Sequence, residues 1–383
     1  MDFTLTKEQE LLRDGLVRFL ATRYDLHTSR AAAKAAGWQS DIWRSFADEL
    51  GILGATLPQE VGGMGGGPVE LMVIAEALGH ALVVEPYVDT VVVAGGLLRR
   101  AGGDHARSVL QRIVAGSAVV ALAAEEPTSG ADLRRVSMTA ARDSDGWMLT
   151  GAKIVAMSAP LATHLLITAR SSGEPTDSDG ISLFLVDLDT AEGVAMHGYR
   201  TIDDRRAADL QLNGVRLGDH ALLGAVGQAW PSLERARDEG AAAVAAEAVG
   251  CMRKVLADTV AYCKQRQQFG QPIGSFQVLQ HRMVDMYLEL EQAVAAVYLA
   301  VLNLEADPVT RARSVSAAKA TIGRAARFIG QNAVQLHGGM GMTEELAIGH
   351  YFKRLTAIEY EFGSTDHHLT RYAQLTRPAL TLR

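Results

Sequence analysis

Two glutamates in one alanine-rich run are the residues of this sequence whose surroundings most favour proton chemistry. Glu247 is a lone carboxylate in AAAVAAEAVG, where small side chains leave room for a flat ligand. An apolar setting raises the pKa of a carboxylate, which suits a group that must accept a proton. The alternative is a buried glutamate that pairs with an arginine or accepts backbone N–H groups. Glu239 is a second candidate, or else a charge at a helix N-terminus.

The C-terminal stretch IEYEFGSTDHHL carries further polar residues, but their spacing does not suit a metal ion. His367 and His368 are adjacent, so they point to different faces of a helix, and no carboxylates stand at ligand spacing. Asp366 is interpreted as a charge in the first turn of a helix. No metal site is predicted.

Composition excludes several classes of protein. The chain has 383 residues, of which 48% are hydrophobic and 21% charged, as in ordinary globular proteins. A net charge of −7 argues against a nucleic-acid partner, which would require a dense basic face. No apolar run approaches the roughly 20 residues that span a bilayer, so no membrane role is predicted. Two cysteines, Cys251 and Cys263, and an N-terminus without an apolar signal segment favour the reducing cytoplasm.

The hydrophobic pattern divides the chain into three domains. From Thr6 to about Arg112, apolar residues recur every three or four positions, which predicts amphipathic helices. Between about Ser117 and Gly224, short β-rich runs are punctuated by Asp-Gly and Asn-Gly turns, which predicts a small β domain. From Gln228 onward, four long helical segments predict an antiparallel bundle. We therefore expect a mostly α chain with an N-terminal α-helical domain (1–116), a middle β domain (117–226) and a C-terminal α-helical bundle (227–383).

Four local motifs occur in an order and spacing that resemble one enzyme family. They are WRSFADELGILGATLPQEVGG (43–63), AAEEPTSGADL (123–133), QRQQFGQPIGSFQ (265–277) and QLHGGMGM (335–342). Each is weak alone, because Glu-Pro turns and Gly-Gly pairs are common in loops. Together, over essentially the whole length, the chain resembles the acyl-CoA dehydrogenases. The resemblance implies that family's fold, with a middle β-barrel-like domain between the N-terminal α domain and a C-terminal four-helix bundle.

The same resemblance implies FAD as the cofactor and an acyl-CoA thioester as the substrate. Their reaction passes an α-proton to a carboxylate and a β-hydride to flavin N5, so a site needs an isoalloxazine, a base and donors for the thioester oxygen. In the family, the segment at Arg266 and the turn at Gln335 reach the FAD of a neighbouring subunit. The positions implied for cofactor binding are Ala123, Glu125, Gly130, Ala131, Val155, Met157, Ser158, Arg266, Gln268, Phe269, Gln335 and Gly339.

One strand departs from the family pattern. GAKIVAMSA (151–159) places Val155 where the family has an aromatic residue and Met157 where it has a hydroxyl. A side-chain hydrogen bond to flavin N5 is then missing. We expect a backbone N–H of Met157 or Ser158 to supply it.

The family's usual glutamate base falls on Phe362, which cannot take a proton. Its backbone N–H still suits the thioester oxygen. Some family members place the base near the start of the first bundle helix, where this chain has Gly240. Glu239 has the right height and the wrong face, whereas Glu247 lies about 20° from that face and roughly 10 Å further along the axis. The catalytic candidates are therefore Glu247, Glu239 and the backbone of Phe362.

These departures resemble one subset of the family, the small subunits of two-component enzymes typified by pimeloyl-CoA dehydrogenase. The resemblance implies an FAD-dependent acyl-CoA dehydrogenase of lipid metabolism, working in a homo- or hetero-tetramer with a related chain. Electrons would pass to an electron-transfer flavoprotein. Two alternatives stay open: a non-catalytic scaffold subunit that completes a partner's FAD site, and a flavin oxidase or monooxygenase on the same fold.

Overall fold

The computed structural model describes residues 4–377. The α-helices within them are α1 (Lys7–Arg23), α2 (Leu26–Ala35), α3 (Ser40–Asp48), α4 (Pro68–His80), α5 (Gly95–Ala101), α6 (Gly103–Val114), α7 (Trp230–Gln265), α8 (Gln277–Leu302), α9 (Pro308–His337), α10 (Ala347–Tyr360) and α11 (Thr365–Thr376). A π-helix, Val88–Ala94, runs directly into α5. The strands are β1 (Val120–Ala123), β2 (Thr139–Asp143), β3 (Gly146–Met157), β4 (His164–Arg170), β5 (Ile181–Asp187), β6 (Val194–Arg200), β7 (Arg206–Leu217), β8 (Leu222–Leu223), β9 (Gln267–Gln268) and β10 (Gln271–Pro272).

Several helices begin where a side chain caps the backbone. Thr6 and Gln9 form a reciprocal capping box at the start of α1. Asp307 accepts the first two N–H groups of α9, with Pro308 as the first helical residue. Ser364 accepts from the N–H of His367 and so begins α11 directly after the turn that follows α10.

One compact unit is helical and consists of the residues up to Thr28, Pro68–Val83 and the residues from Ala241 onward. In it α9 packs against α8, α10 and α11, and α1 packs against α4. Helices α4 and α7 cross at glycines: a Cβ on Gly79 would lie 2.0 Å from the carbonyl oxygen of Glu247, and a Cβ on Gly250 would lie 1.9 Å from that of Glu76. Only glycine permits such an approach between two helix backbones.

The second unit consists of Ser29–Gly67 and Val84–Gly240 and contains the sheet. The strand order is β6-β7-β3-β2-β4-β5-β8, with β1 parallel to β4 beside it. Every residue of β4 and nearly every residue of β5 is buried, which explains why their sequences, HLLITAR and ISLFLVD, are rich in branched apolar residues. Trp147 and Phe184 meet edge to face in this core, with ring centroids 5.3 Å apart.

The predicted fold class is confirmed: helices precede and follow a small β-sheet. Helix α10, with the sequence AIGHYFKRLTAIEY between the glycine turn and the last helix, is not among the predicted helices. The compact units group the chain differently from the three predicted domains, since Pro68–Val83 belongs with the C-terminal helices. Within residues 4–377, no helix combines the length and apolar character needed to cross a bilayer.

Candidate active site

A buried ion pair holds the loop that follows β1. Nζ of Lys153 lies 2.7 Å from Oε1 of Glu126, and their side chains are 0% and 3% exposed. The carboxylate also accepts two backbone N–H groups, from Ser137 to Oε2 over 2.7 Å and from Met138 to Oε1 over 3.1 Å. Burial lowers the pKa of Lys153 to about 8, against the opposing charge of Glu126. The loop AAEEPTSGADL is therefore anchored to β3 by its own glutamate.

A β-bulge turns β3 at Val155. The register with β7 shifts at this point, and Val155 adopts a left-handed φ of 50°. The N–H of Val155 donates to Oδ1 of Asp209 over 3.0 Å, and the N–H of Ile154 donates to the carbonyl oxygen of Glu125 over 2.9 Å. The strand and the loop that were both predicted to bind FAD are thus joined by a backbone hydrogen bond.

Asp209 also fixes a tyrosine beside the bulge. The hydroxyl of Tyr199 donates to Oδ1 of Asp209 over 3.0 Å, so this oxygen accepts from both Tyr199 and Val155. Burial, followed by the hydrogen bond that the hydroxyl donates to Asp209, raises the pKa of Tyr199 to about 12. The phenol is therefore neutral at pH 7 and acts as a donor.

Ser158, the residue after β3, donates hydrogen bonds from both its backbone N–H and its hydroxyl. It has a φ of 61°, its N–H donates to the carbonyl oxygen of Arg206 over 2.7 Å, and its Oγ donates to Oδ2 of Asp89 over 2.5 Å. A backbone N–H of Met157 or Ser158 is the predicted donor to flavin N5. Because the N–H of Ser158 is used within the sheet, Met157 is left as the other predicted donor.

The remaining predicted cofactor positions of this loop differ in their surroundings. Ala123 ends β1 and is buried, whereas Gly130 and Ala131 are exposed. Gly130 has a φ of 54° with no other heavy atom within 4 Å of the place of a Cβ, so glycine provides both the turn and open space. Burial raises the pKa of Glu125, opposed by the charge of Arg237. The Glu125 side chain keeps solvent contact, so protein atoms remove only part of its hydration.

In the helical unit, Glu247 lies in an ion pair with Arg354 of α10. Nε of Arg354 donates to Oε1 over 2.7 Å and Nη2 to Oε2 over 2.8 Å, and the Glu247 and Arg354 side chains are 4% and 3% exposed. The same guanidinium binds Glu361 through Nη1 to Oε1 over 2.5 Å and Nη2 to Oε2 over 3.0 Å. Of the two environments predicted for Glu247, the structure shows the one in which an arginine is its partner.

Phe362 sits in a turn that three side chains hold. It has a left-handed φ of 58°, unusual for an aromatic residue. Its carbonyl oxygen lies 3.1 Å from Nε2 of His368, which must therefore carry the proton. The ammonium of Lys319, buried in α9, donates to the carbonyl oxygens of Ile358, Glu359 and Gly363 over 2.7, 3.2 and 3.1 Å. Together with Arg354 on Glu361, these bonds define the backbone at the position predicted to match the family's usual base.

Glu239 also has arginine partners, in the second unit. Nη1 of Arg100 lies 2.9 Å from each of its carboxylate oxygens, and Nε of Arg235 lies 3.0 Å from Oε1. Helix α7 begins at Trp230, so Glu239 lies in the third helical turn. The alternative interpretation of Glu239 as a helix N-terminal charge is therefore wrong, because the helix begins earlier than the periodicity indicated.

The segment that follows α7 presents its predicted FAD residues outward. Arg266, Gln268 and Phe269 are exposed, and Phe269 has 91% of its surface accessible and a φ of 53°. Strands β9 and β10 form a small hairpin on either side of Phe269, whose ring meets Phe276 edge to face at 6.0 Å. Such an aromatic tip is available to a ligand or to a second chain.

The predicted glycine turn lies at the end of α9. Gln335 is exposed in the last turn of α9, and its backbone carbonyl oxygen accepts the N–H of Gly338. Gly339 belongs to a short 3-10 helix, Gly338–Met342, with no other heavy atom within 4 Å of the place of a Cβ. The first turn of α11 contains Asp366, as predicted. Across residues 4–377, no group of three or more histidine, cysteine, aspartate or glutamate side chains is arranged to hold a metal ion.

The residues that organise these sites were missed by the sequence analysis. Lys153 and Lys319 each stand alone in an apolar run, GAKIVAM and SAAKATIG, and that isolation is a signal for a buried, paired ammonium. Arg354 is harder to recognise from the sequence as a buried, paired cation, because Lys353 beside it is equally basic.

Comparison with known proteins identifies the family of this chain. Family models match the chain in order: the acyl-CoA dehydrogenase N-terminal domain over residues 6–117, the middle domain over 121–215 and the C-terminal domain over 227–375. The chain belongs to the acyl-CoA dehydrogenase family. Members of this family are flavoprotein oxidoreductases of lipid metabolism with FAD as cofactor, so the predicted family and cofactor are confirmed.

Individual relatives cover almost the whole chain. FadE12 of Mycobacterium tuberculosis, an acyl-CoA dehydrogenase, is 30% identical over 359 residues, with 90% of each chain covered. A chain from the structural study of the electron transferring flavoprotein of Acidaminococcus fermentans has a TM-score of 0.91 at 26% identity and covers 99% of this chain and 100% of its own. A chain of the ChsE4-ChsE5 complex from Mycobacterium tuberculosis has a TM-score of 0.88 at 26% identity, with 99% and 100% covered.

Proposed function

We propose that this acyl-CoA dehydrogenase homologue catalyses the FAD-dependent α,β-dehydrogenation of an acyl-CoA thioester as one subunit of a tetramer. The observation that carries the proposal is the match to all three family domains in order, across residues 6–375. The reaction needs a redox cofactor, a proton acceptor and donors for the thioester oxygen. When bound, FAD supplies the hydride acceptor at its N5.

The described residues fit a flat cofactor with a dinucleotide tail. The bulge at Val155 and the open backbone at Gly130 leave space beside an anchored loop. The exposed Arg266 offers a guanidinium for a diphosphate, and the exposed Phe269 offers a ring for stacking. In the proposed assembly, Arg266, Phe269 and the turn at Gly339 bind the FAD of a neighbouring subunit.

The residue that accepts the α-proton distinguishes two candidate functions. Phe362 has no titratable group, and both glutamate candidates of α7 have arginine partners, Glu247 with Arg354 and Glu239 with Arg100. These pairings favour a second candidate function, a subunit that completes the FAD site of a related chain and does not itself turn over. The ChsE4-ChsE5 relative is a complex of two different chains, which supports a mixed tetramer for either candidate.

The proposed electron acceptor is an electron-transfer flavoprotein. CarC of Acetobacterium woodii, 29% identical over 312 residues, is described as a subunit of a caffeyl-CoA reductase-Etf complex. That relationship supports both the acyl-CoA class of substrate and the flavoprotein partner proposed for this chain.

The chain expressed alone tests the proposal. We expect a yellow tetramer with the absorbance of oxidised FAD, which is bleached anaerobically by at least one member of an acyl-CoA series. Colourless or inert protein that becomes active only when a related chain is co-expressed supports the second candidate. A tetramer that holds no flavin, with or without such a chain, refutes both.

A further inference from the structure

The turn at Phe362 is connected to Glu247 through a single side chain. Arg354 donates to both oxygens of Glu247 and to both oxygens of Glu361, the residue directly before Phe362. Nη2 is shared between the two carboxylates, at 2.8 Å from Glu247 and 3.0 Å from Glu361. A change at Glu247 therefore reaches the turn through the orientation of one guanidinium.

Phe362 depends on its surroundings for its conformation. A residue with a Cβ at a φ of 58° is at a disadvantage of about 1–2 kcal/mol relative to ordinary backbone, so the turn would relax if nothing held it. The helical unit holds it from α9 through Lys319, from α10 through Arg354 and from α11 through His368. Of these, only the Arg354 contact acts on a side chain of the turn itself.

The geometry at Glu247 suits a fixed anion better than a proton acceptor. Both carboxylate oxygens accept charge-assisted hydrogen bonds from one guanidinium in fork-to-fork geometry. An opposite charge at this distance favours the ionised carboxylate. A proton taken up by Glu247 would displace one of these bonds from the buried Arg354, which would then keep Glu361 as its charged partner.

We propose that Glu247 and Arg354 are positioning residues: acting through Glu361, they hold the backbone of Phe362 in its left-handed conformation, where the acyl-CoA thioester binds. This inference rests on the proposed dehydrogenase function for the identity of the ligand. The side chains of Glu247, Arg354 and Glu361 act as one unit, and Glu247 keeps its hydrogen bonds to Arg354 and does not act as the base.

Amide hydrogen exchange of the peptide covering 358–366 tests the positioning role without substrate or turnover. We expect Glu247→Gln, Arg354→Met and Glu361→Gln each to speed exchange there by about tenfold or more, because each loosens the same turn. Arg354→Met combined with Glu361→Gln should exchange no faster than Arg354→Met alone, as expected for residues that act as a unit. Glu76→Gln is the matched control. It removes the charge of a half-exposed carboxylate on α4 whose partner, Arg253, lies on α7 as Glu247 does.

Anaerobic flavin reduction separates positioning from proton transfer. We expect Glu247→Gln and Glu361→Gln to slow reduction by a similar factor of about 10–100, the effect of a misplaced contact, with the pH profile unchanged. If Glu247 is the base, its glutamine variant loses reduction almost entirely together with the acidic limb of the profile, Glu361→Gln is nearly silent, and exchange at 358–366 does not change. That result overturns the inference. A wild-type protein that no acyl-CoA reduces refutes the proposed function alone, because the exchange measurement still decides the role of the three residues.

Discussion

Nζ of Lys153 lies 2.7 Å from Oε1 of Glu126, and water reaches almost none of either side chain. This pair joins β3 to the loop AAEEPTSGADL, and Thr168 accepts a further hydrogen bond from the ammonium over 2.9 Å. Two segments predicted to contact FAD therefore share one electrostatic anchor. We therefore expect a change at this pair to affect both stability and cofactor binding.

Replacing Lys153 by methionine should destabilise the protein strongly. Glu126 would remain buried without its counter-charge, and breaking a buried pair in this way costs about 3–5 kcal/mol. Chemical denaturation measures the loss. Lys254→Met is the control, because Lys254 and Asp258 form a pair at 2.6 Å whose side chains are about a third exposed, worth below about 1 kcal/mol. Equal losses in the two variants would contradict a special role for the buried pair.

Stability should fall as the pH drops below about 6.5, in part through His164. Its Nε2 lies 3.3 Å from Nη1 of Arg112 and so acts as the acceptor, and burial lowers the pKa of His164 below the ordinary value of about 6.5. Asp187 opposes this shift, whereas Arg112 and His105 add to it. Below pH 6.5 the unfolded chain binds the proton more readily than the folded one, so protonation favours unfolding.

Unfolding midpoints measured between pH 7 and 5 check this prediction. His164→Gln should flatten the loss of stability with acid, because glutamine has no proton to gain. Some loss should remain, since burial also lowers the pKa of His80. A slope identical to that of the wild type would show that His164 does not titrate in this range.

Alanine at Gly79 should disrupt the crossing of α4 and α7. The new Cβ would lie 2.0 Å from the carbonyl oxygen of Glu247, a contact that helix backbones relieve only by moving apart. Overpacking of this kind costs at least about 1–3 kcal/mol. Gly15→Ala is the matched control, because nothing lies within 4 Å of its Cβ in α1, where alanine should stabilise by up to about 1 kcal/mol. Thermal unfolding of both variants gives the comparison, and a Gly79 variant as stable as wild type would refute the close crossing.

The affinity for FAD should depend on Oδ1 of Asp209, which accepts the hydrogen bond from the bulge residue Val155. Asp209→Ala removes the acceptor for the N–H of Val155 and for the hydroxyl of Tyr199, hydrogen bonds worth about 1.5–3 kcal/mol when one partner is charged. Asp209→Asn keeps an oxygen in that place. Titration of the apoprotein with FAD should therefore show weakened binding for alanine and near-normal binding for asparagine. If both variants bind FAD like the wild type, the bulge does not contribute to the cofactor site.

The fold was predictable because its elements carry strong local patterns. The nearly continuous apolar run of β5 and the long run of small residues in α7 each indicate one kind of secondary structure. Helix α10 was missed because Gly349 stands in its first turn and lowers local helix propensity. Such a helix is stabilised by tertiary contacts, including the Tyr351 hydroxyl on the carbonyl oxygen of His80, and these leave no local pattern.

The candidate site was predictable only where the chemistry lies within a motif. Loop 123–133 and the segment after α7 could be predicted as cofactor segments, because the residues of each are adjacent in the sequence. The partner of Glu247 lies 107 positions away, and the partner of Ser158 lies 69 positions away. Which arginine meets which glutamate depends on how helices cross, and a single sequence does not encode that crossing as a visible spacing.

The π-helix Val88–Ala94 sets the rotational phase of everything that follows it in α5. Asp89 contacts Ser158 within this segment, and Arg100, beyond its end, contacts Glu239. If the same residues adopted α geometry, the wide turn would be lost and Arg100 would rotate by about 100° around the axis relative to Asp89. One of the two contacts would then be lost, so the wide turn in this short valine run is what lets Asp89 and Arg100 keep both of their partners.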